Sequence, residues 1–107
     1  MQNYPVRNTH RRNLTPSALE PIARNCFGTA SIDGEAVSTE YGAISRLVAR
    51  ASGRELSLDL TMNPKVPEDV ARETIRRYNQ FLEAVTGYTS KERAKRLRKS
   101  ATGGAGD

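Results

Sequence analysis

The residues with the clearest chemical potential form a basic run near the end of the chain. Between residues 91 and 99, six of the nine side chains are lysine or arginine, and Glu92 is the only acid. The six are Lys91, Arg93, Lys95, Arg96, Arg98 and Lys99. Residues 1–90 carry 11 Lys and Arg against 10 Asp and Glu, so the net charge of +5 arises almost wholly from this run. A near-neutral body with one cationic segment is typical of a protein with an anionic partner, and we predict contacts with the phosphates of DNA or RNA.

A second basic cluster lies near the start of the chain. Arg11 and Arg12 follow His10, and Arg7 lies just upstream. Arg11 and Arg12 would extend a phosphate-binding surface, and they complete the predicted set of nucleic-acid-binding residues. The sequence leaves a second interpretation open for both clusters, namely exposed charges that only keep the protein soluble. No aromatic residue is interleaved with the basic run, so bases would find no stacking platform there.

Catalysis or metal binding would need combinations of residues that the sequence does not contain. Cys26 falls on the apolar face of a predicted helix near its C-terminal end, which is typical of a buried structural thiol rather than of a nucleophile. One cysteine and one histidine, His10, cannot form a tetrahedral nitrogen and sulfur site. The acids do not pair as a general acid and base, and no phosphate-cradling glycine loop is present. We therefore predict that the protein is not an enzyme and takes no metal, cofactor or small-molecule ligand.

This chain of 107 residues has the length and composition of a single domain with a modest hydrophobic core. A single cysteine excludes an internal disulfide. The sequence contains no run of about 18 apolar residues, so no membrane span is expected. The first residues lack the pattern of a signal peptide, and we expect a cytoplasmic protein. The domain is predicted over residues 1–88, with a basic helical extension over 89–100 and a disordered tail over 101–107.

The beginning of the chain predicts a strand followed by a helix. The strand is predicted over residues 2–8 and is interrupted by an early proline, which suits the edge of a sheet. Apolar residues at helical spacing predict a helix over residues 17–27. Ser17 and Glu20 fit a capping box at its start, and Pro21 is expected within the first turn.

Turn signals predict two hairpins in the middle of the chain. The dipeptide Asp33-Gly34 is typical of a two-residue hairpin loop, and it would join strands near residues 29–32 and 35–39. Alternating leucines predict a strand over residues 54–62. The preceding segment, residues 43–51, fits either a strand or an amphipathic helix.

Cross-strand pairing favours a strand for this ambiguous segment. If residues 52–53 form the loop, Arg50 faces Glu55. The same register places Arg46 opposite Asp59, so one face of the pair is neutralised while apolar residues meet on the other. Because both faces are sensible in one register, we predict a second hairpin here.

The last part of the chain predicts a long helix and a short basic one. The long helix begins at Glu68 and ends at Gly87. Its apolar stripe consists of Val70, Thr74, Ile75, Tyr78, Phe81, Leu82 and Val85. Thr89 and Glu92 fit a capping box that opens a short basic helix ending near Lys99. The order is strand, helix, four strands, helix and short basic helix, which predicts an α+β two-layer sandwich with one antiparallel sheet covered by helices on one face.

One long stretch and two short motifs resemble a known family. The run from Thr74 to Arg93, together with Cys26-Phe27-Gly28 and Tyr41-Gly42-Ala43, resembles a small archaeal family whose domain has no known function. The resemblance covers about residues 4–99 and implies a fold similar to one half of the TATA-box-binding protein, with the order strand, helix, four strands and helix. It supplies no activity, substrate or binding residue. TATA-box-binding proteins wedge Phe side chains of their open sheet into DNA, whereas both Phe of this chain fall on predicted helices, so we do not expect that mode of binding.

Two hypotheses of function remain open. In the first, this small domain is associated with nucleic acid and contacts the phosphate backbone through its C-terminal basic helix, helped by Arg11 and Arg12. In the second, it is a protein-interaction or homodimerisation module whose sheet meets a partner or a second copy, with no nucleic-acid role. The first predicts binding that weakens steeply with salt, whereas the second predicts association that survives salt.

Overall fold

The structure, a computed structural model, describes residues 2–95. Its elements follow the predicted order of strand, helix, four strands and helix. They are β1 (Gln2–Pro5), a 3-10 helix (Asn8–Asn13), α1 (Pro16–Phe27), β2 (Ser31–Asp33), β3 (Ala36–Tyr41), β4 (Ile44–Ser52), β5 (Glu55–Met62) and α2 (Glu68–Thr86). Residues 90–95 are also helical, and we name them the C-terminal helical segment. The predicted helix end near Lys99 and the predicted tail over 101–107 lie outside the described residues.

The strands of residues 2–95 form one antiparallel sheet in the order β1-β5-β4-β3-β2. Both helices pack on one face, where Leu19 and Phe81 of the helices join Leu47 and Leu58 of the sheet in one core. Each of these four side chains is at most 2 % exposed. No helix of residues 2–95 covers the other face, which we name the open face. This two-layer arrangement confirms the predicted α+β class, and β1 takes the edge position that its proline predicted.

The start of α1 differs from the prediction. Thr15 is the N-cap, and its Oγ1 accepts a hydrogen bond from the backbone N–H of Ala18 at 3.2 Å. The predicted capping box of Ser17 and Glu20 is wrong, because the helix begins at Pro16, where a proline needs no hydrogen bond and already has helical φ. The remaining proline of the helix consequently lies inside it rather than in its first turn.

Both hairpin loops lie one residue later than the sequence predicted. Asp33 pairs with Ala36, so Gly34 and Glu35 form the first loop. Ser52 pairs with Glu55, so the second loop consists of residues 53–54. In each loop the glycine has a φ of +63°, and no other residue type adopts a positive φ among the described residues. This is the type II′ pattern, which needs a positive φ only at the first central position of the turn. Glycine takes that position in both loops, and the preceding Asp33 and Ser52 remain in their strands.

The pairing of β4 with β5 is shifted accordingly. Arg50 lies opposite Ser57 and Arg46 lies opposite Thr61, so the predicted pairs with Glu55 and Asp59 are wrong. Each partner moves by two residues, which preserves the alternation between faces. The strand assignment and the predicted apolar face are therefore confirmed although the charge pairs are not.

The long helix α2 is held against the turn between β3 and β4. Gly42 has a φ of +51°, and any side chain there would collide with the Thr74 hydroxyl. That hydroxyl accepts a hydrogen bond from the backbone N–H of Ala43 at 3.0 Å and donates to the carbonyl of Val70 at 2.7 Å. Ile75, which the sequence placed on the apolar stripe, is instead 51 % exposed, since it lies on the outer side of α2.

Candidate functional site

The segment that follows β1 closes the C-terminal end of α2. The last turn of a helix leaves carbonyl groups without partners inside the helix. The side-chain amide of Asn13 donates to the carbonyls of Ala84 at 3.2 Å and Val85 at 3.3 Å. The backbone N–H of Arg7 donates to the carbonyl of Thr86 at 2.9 Å. Because these bonds satisfy carbonyls of the last turn, they fix the 3-10 helix against this end of α2.

Arg7 joins this helix end to the C-terminal helical segment. Its Nε donates to the carbonyl of Gly87 at 2.9 Å, and its Nη2 donates to Oε2 of Glu92 at 2.7 Å. Its guanidinium carbon lies 4.4 Å from the centre of the Tyr88 ring, within the range of a cation–π contact. One side chain therefore ties the N-terminal strand, the end of α2 and the last described helix together.

The C-terminal helical segment begins with the predicted capping box. The backbone N–H of Glu92 donates to Oγ1 of Thr89 at 3.2 Å, and the backbone N–H of Thr89 donates to Oε1 of Glu92 at 3.0 Å. The hydrogen bond from Thr89 is the main reason that the pKa of Glu92 is lowered, and Arg7 adds to the effect. This carboxylate is thus held charged at the start of the helix, where the helix dipole favours it.

Arg93 is buried and forms hydrogen bonds inside the protein. It is 4 % exposed, and its Nη1 donates to the carbonyl of Tyr88 at 2.6 Å. Its Nη2 donates to Oδ1 of Asn79 on α2 at 3.0 Å. Burial lowers the pKa of Arg93, while the nearby Tyr4 and Tyr78 oppose the shift. Of the residues predicted to contact phosphate, this one is directed into the protein and docks the C-terminal helical segment on α2.

Four other predicted residues are exposed around the same end of α2. Arg11 and Arg12 belong to the 3-10 helix that closes the helix end, and Lys91 and Lys95 belong to the C-terminal helical segment. Within residues 2–95 none of the four forms an ion pair. We name this set of four residues the basic end. Two clusters that are about 80 residues apart in sequence thus lie on segments that both bond to the C-terminal half of α2 and that Arg7 joins to each other. The predicted residues Arg96, Arg98 and Lys99 lie outside the described residues.

The arginines of α2 contrast with the basic end because acids on the same helix neutralise them. Arg72 pairs with Glu68 at 3.0 Å. Glu73 pairs with Arg77 at 3.0 Å and with Arg76 at 3.6 Å. Spacings of three and four residues place such pairs side by side on a helix surface.

The open face of the sheet carries more acids than bases. Strand pairing and alternation direct two arginines and four carboxylates to this face. They are Arg46, Arg50, Asp33, Glu40, Glu55 and Asp59. Phe27 and Phe81 are both buried in the core, with ring centres 5.4 Å apart. This face therefore offers a polyanion neither net positive charge nor a Phe wedge.

The lone cysteine lies in the core. Cys26 is 9 % exposed, and burial raises the pKa of its thiol, which disfavours the nucleophilic thiolate. Over residues 2–95 no three His, Cys, Asp or Glu side chains lie close enough to hold a metal ion. In the same range no helix combines the length and apolar character that crossing a membrane requires.

Comparison with known proteins places the chain in a family. The model of a family described as a domain of unknown function, DUF5611, matches residues 1–99. The chain belongs to the DUF5611 family. Its structure is similar to the solution structure of a hypothetical protein, TA0095, from Thermoplasma acidophilum, an archaeal protein. The two share 24 % identity with a TM-score of 0.68, and the match covers 91 % of this chain and 97 % of the other. At this identity the likeness concerns the fold, and no curated protein matches the DUF5611 chain significantly.

Two residues that position the basic end of this DUF5611 chain have no clear signal in the sequence. Arg7 is visible there only as a charge upstream of His10, and its partner Glu92 is 85 residues away. Asn79 carries no signal, because its role depends on the burial of Arg93. The capping box at Thr89 is the one local signal that could locate the docked helix.

Proposed function

We propose that this DUF5611 protein is associated with nucleic acid and contacts phosphates through the basic end. The observation that carries the proposal is that two segments bonded to the C-terminal half of α2 carry Arg11 and Arg12 on one and Lys91 and Lys95 on the other. All four side chains are exposed and without an ion pair within residues 2–95. Exposed cations that have no acid partner are free to replace the counterions of a polyanion. The hydrogen bonds of Arg7 to Gly87 and Glu92, which we name the Arg7 tether, support the proposal because they hold the two segments in a fixed arrangement.

The contacts that we propose are with the backbone of DNA or RNA. Lysine and arginine side chains on two short helices favour phosphate contacts, which position a protein without selecting a sequence. In sequence, Arg96, Arg98 and Lys99 continue the charge of Lys91 and Lys95, and we propose that they add to the same surface. We propose that the protein binds nucleic acid in the cytoplasm.

The proposed mode differs from that of the TATA-box-binding protein. The family resemblance of the sequence implies half of that fold, and we propose the likeness as one of architecture alone. The excess of carboxylates on the open sheet face argues against a nucleic-acid groove there. The basic end belongs instead to the two segments that bond to the C-terminal half of α2, in the helix layer.

Fluorescence anisotropy tests the proposal with labelled single-stranded DNA, duplex DNA and structured RNA across a salt series. We expect binding that weakens steeply as salt rises. The double variant Arg11→Gln/Arg12→Gln should make the log–log salt slope less steep, by about 0.9 on duplex DNA and about 0.7 on a single strand for each phosphate that the protein no longer neutralises. Lys91→Gln/Lys95→Gln should act in the same direction.

Arg46→Gln/Lys65→Gln is the matched control. It removes the same charge from the opposite end of the sheet, where Asn63 bonds to Ala43, and should leave the salt slope unchanged. No binding at low salt would refute the proposal. Equal losses in the control and basic-end variants would show that only net charge matters.

A second candidate function is homodimerisation through the edge of the sheet. The edge strand β2 exposes Ile32, which is 50 % accessible, and an edge strand offers backbone groups to another chain. This candidate predicts a dimer in light scattering that survives high salt and dissociates in an Ile32→Lys variant. A monomer at all salt concentrations would exclude it.

A further inference from the structure

A groove runs along the outer side of α2 and ends at the basic end. It has a volume of about 470 Å³ and lies between α2 and the first turn of the C-terminal helical segment. We name it the α2 groove. It is lined by Arg72, Ile75, Arg76, Asn79, Gln80 and Glu83 of α2 and by residues 89–90.

We infer that the α2 groove receives unpaired bases of a single-stranded nucleic acid whose backbone is held at the basic end. The inference rests on the proposed function and adds the form of nucleic acid that the protein prefers. The two surfaces are continuous, because Ser90 lines the groove and the next residue, Lys91, belongs to the basic end.

The groove offers flat and apolar surface for the face of a base. Ile75 is 51 % exposed although it is a large aliphatic residue, and it lies within the groove. Arg72 and Arg76 flank it in sequence, and their side chains are 75 % and 68 % exposed. Unpaired bases stack on guanidinium planes as well as on aromatic rings, so this surface suits bases that are not stacked within a duplex.

The same groove offers amide groups for the edge of a base. Oδ1 of Asn79 accepts a hydrogen bond from the buried Arg93, which leaves the amide nitrogen of Asn79 as the free donor. Gln80 is exposed and supplies both a donor and an acceptor. In a duplex the pairing edges of the bases are occupied, whereas in a single strand they are available to side-chain amides.

The charges of the groove are compatible with a polyanion. The pairs of Arg72 with Glu68 and of Arg76 with Glu73 are exposed, so water screens them and a phosphate can displace the acid. Glu83 is the acid in the lining, and Arg93 lies near enough to interact with it electrostatically. The groove is therefore close to neutral, and the attraction for phosphate comes from the basic end.

The test compares two isoleucines of equal exposure. Ile75→Ala changes the α2 groove, and Ile32→Ala changes the far edge of the sheet, where the side chain is 50 % exposed against 51 % for Ile75. Both variants should fold, since neither side chain belongs to the core. Affinity is measured by fluorescence anisotropy for an unstructured single strand of DNA or RNA and for a duplex containing the same sequence.

We expect tighter binding of the single strand than of the duplex. Ile75→Ala should weaken single-strand binding about fivefold without changing the salt slope, because it removes apolar contact and no charge. Gln80→Ala should weaken it by a similar factor, and Ile32→Ala should leave it unchanged.

Three results would overturn the inference. Unchanged affinity in Ile75→Ala, with weaker binding in Arg11→Gln/Arg12→Gln, would place the nucleic acid outside the groove and leave the proposed function standing. Equal or tighter binding of the duplex would show that unpaired bases are not recognised. Absence of binding to every nucleic acid at low salt would remove the inference together with the proposed function.

Discussion

Arg7 and Glu92 form an ion pair of 2.7 Å between residues 85 positions apart in sequence. The pair joins the end of β1 to the C-terminal helical segment, and neither partner is confined to that single contact. Arg7 also donates to the carbonyl of Gly87, and Glu92 also closes the capping box with Thr89. Each side chain is therefore already ordered by a second contact, which reduces the side-chain entropy lost when the ion pair forms.

Arg7→Ala should destabilise the protein more than an ordinary surface arginine variant. It removes a hydrogen bond to a backbone carbonyl, an ion pair and a cation–π contact, and we expect a decrease of about 2 kcal/mol in the free energy of unfolding. Arg72→Ala, which breaks an exposed pair within α2, should cost about 0.5 kcal/mol or less. Urea denaturation of both variants measures the difference, and equal decreases would show that the tether contributes nothing specific.

The capping box predicts how stability depends on pH. The pKa of Glu92 is lowered in the folded protein from its ordinary value of 4.5, so its ionised form stabilises the fold above the unfolded pKa. That contribution is lost as the pH falls through the lowered folded pKa. Glu92→Gln should therefore reduce the fall in unfolding free energy on acidification from about pH 5 to about pH 3. Glu35→Gln, in the β2–β3 loop, corrects for the removal of one carboxylate, and identical pH profiles for the two variants would contradict the prediction.

The sequence predicted the elements and the fold class because they depend on local patterns. The alternation of β5, the apolar stripe of α2 and the terminal Gly87 are each readable within a few residues. The predicted register failed because two candidate registers differ by two residues and preserve the same faces, as the pairing of Arg50 with Ser57 shows. The position of glycine in the turn, and not the charge pairs, decides between them.

The candidate site could be predicted only in part. The charges of the basic run were visible in sequence, and so was the capping box at Thr89. The burial of Arg93 was not visible, because charge predicts exposure unless a partner is known. That partner, Asn79, lies on α2 and is brought near only by the fold. The meeting of Arg11 and Arg12 with the end of α2 likewise depends on contacts between distant segments.

Gly87 should tolerate substitution less well than a glycine in an open turn. It has a φ of +78°, and an added Cβ would lie 2.7 Å from Nδ1 of His10 and 3.0 Å from Cδ of Arg7. Gly34 has a φ of +63° but no atom within 4 Å of the added Cβ. We expect Gly34→Ala to cost about 1 kcal/mol through backbone strain alone. Gly87→Ala should cost about 3 kcal/mol, because the side chains of His10 and Arg7 must also move and Arg7 would lose its contacts with Gly87 and Glu92.

Thermal or urea denaturation distinguishes these two glycine variants. If Gly87→Ala were no worse than Gly34→Ala, the close packing of His10 and Arg7 against this position would not be present in solution. Anisotropy gives a second readout, since a displaced Arg7 would no longer hold Glu92, and binding through the neighbouring Lys91 should weaken.

Arg93 should contribute to stability and Lys95 to nucleic-acid binding, although both belong to the basic run. Arg93→Gln leaves the carbonyl of Tyr88 and Oδ1 of Asn79 without their donor, and we expect a decrease of about 2 kcal/mol in unfolding free energy. Lys95→Gln, at an exposed position, should change stability by about 0.5 kcal/mol or less. Lys95→Gln should nevertheless reduce the salt slope of nucleic-acid binding, because it removes a cation that faces solvent.

Arg93→Lys separates the two roles further, since it keeps the charge but cannot bond both partners with the geometry of a guanidinium. Lower stability for both Arg93 variants, with an unchanged salt slope for Arg93→Gln measured below its unfolding transition, would assign Arg93 to docking. A reduced salt slope for Arg93→Gln, which removes the charge, would instead place its guanidinium on phosphate.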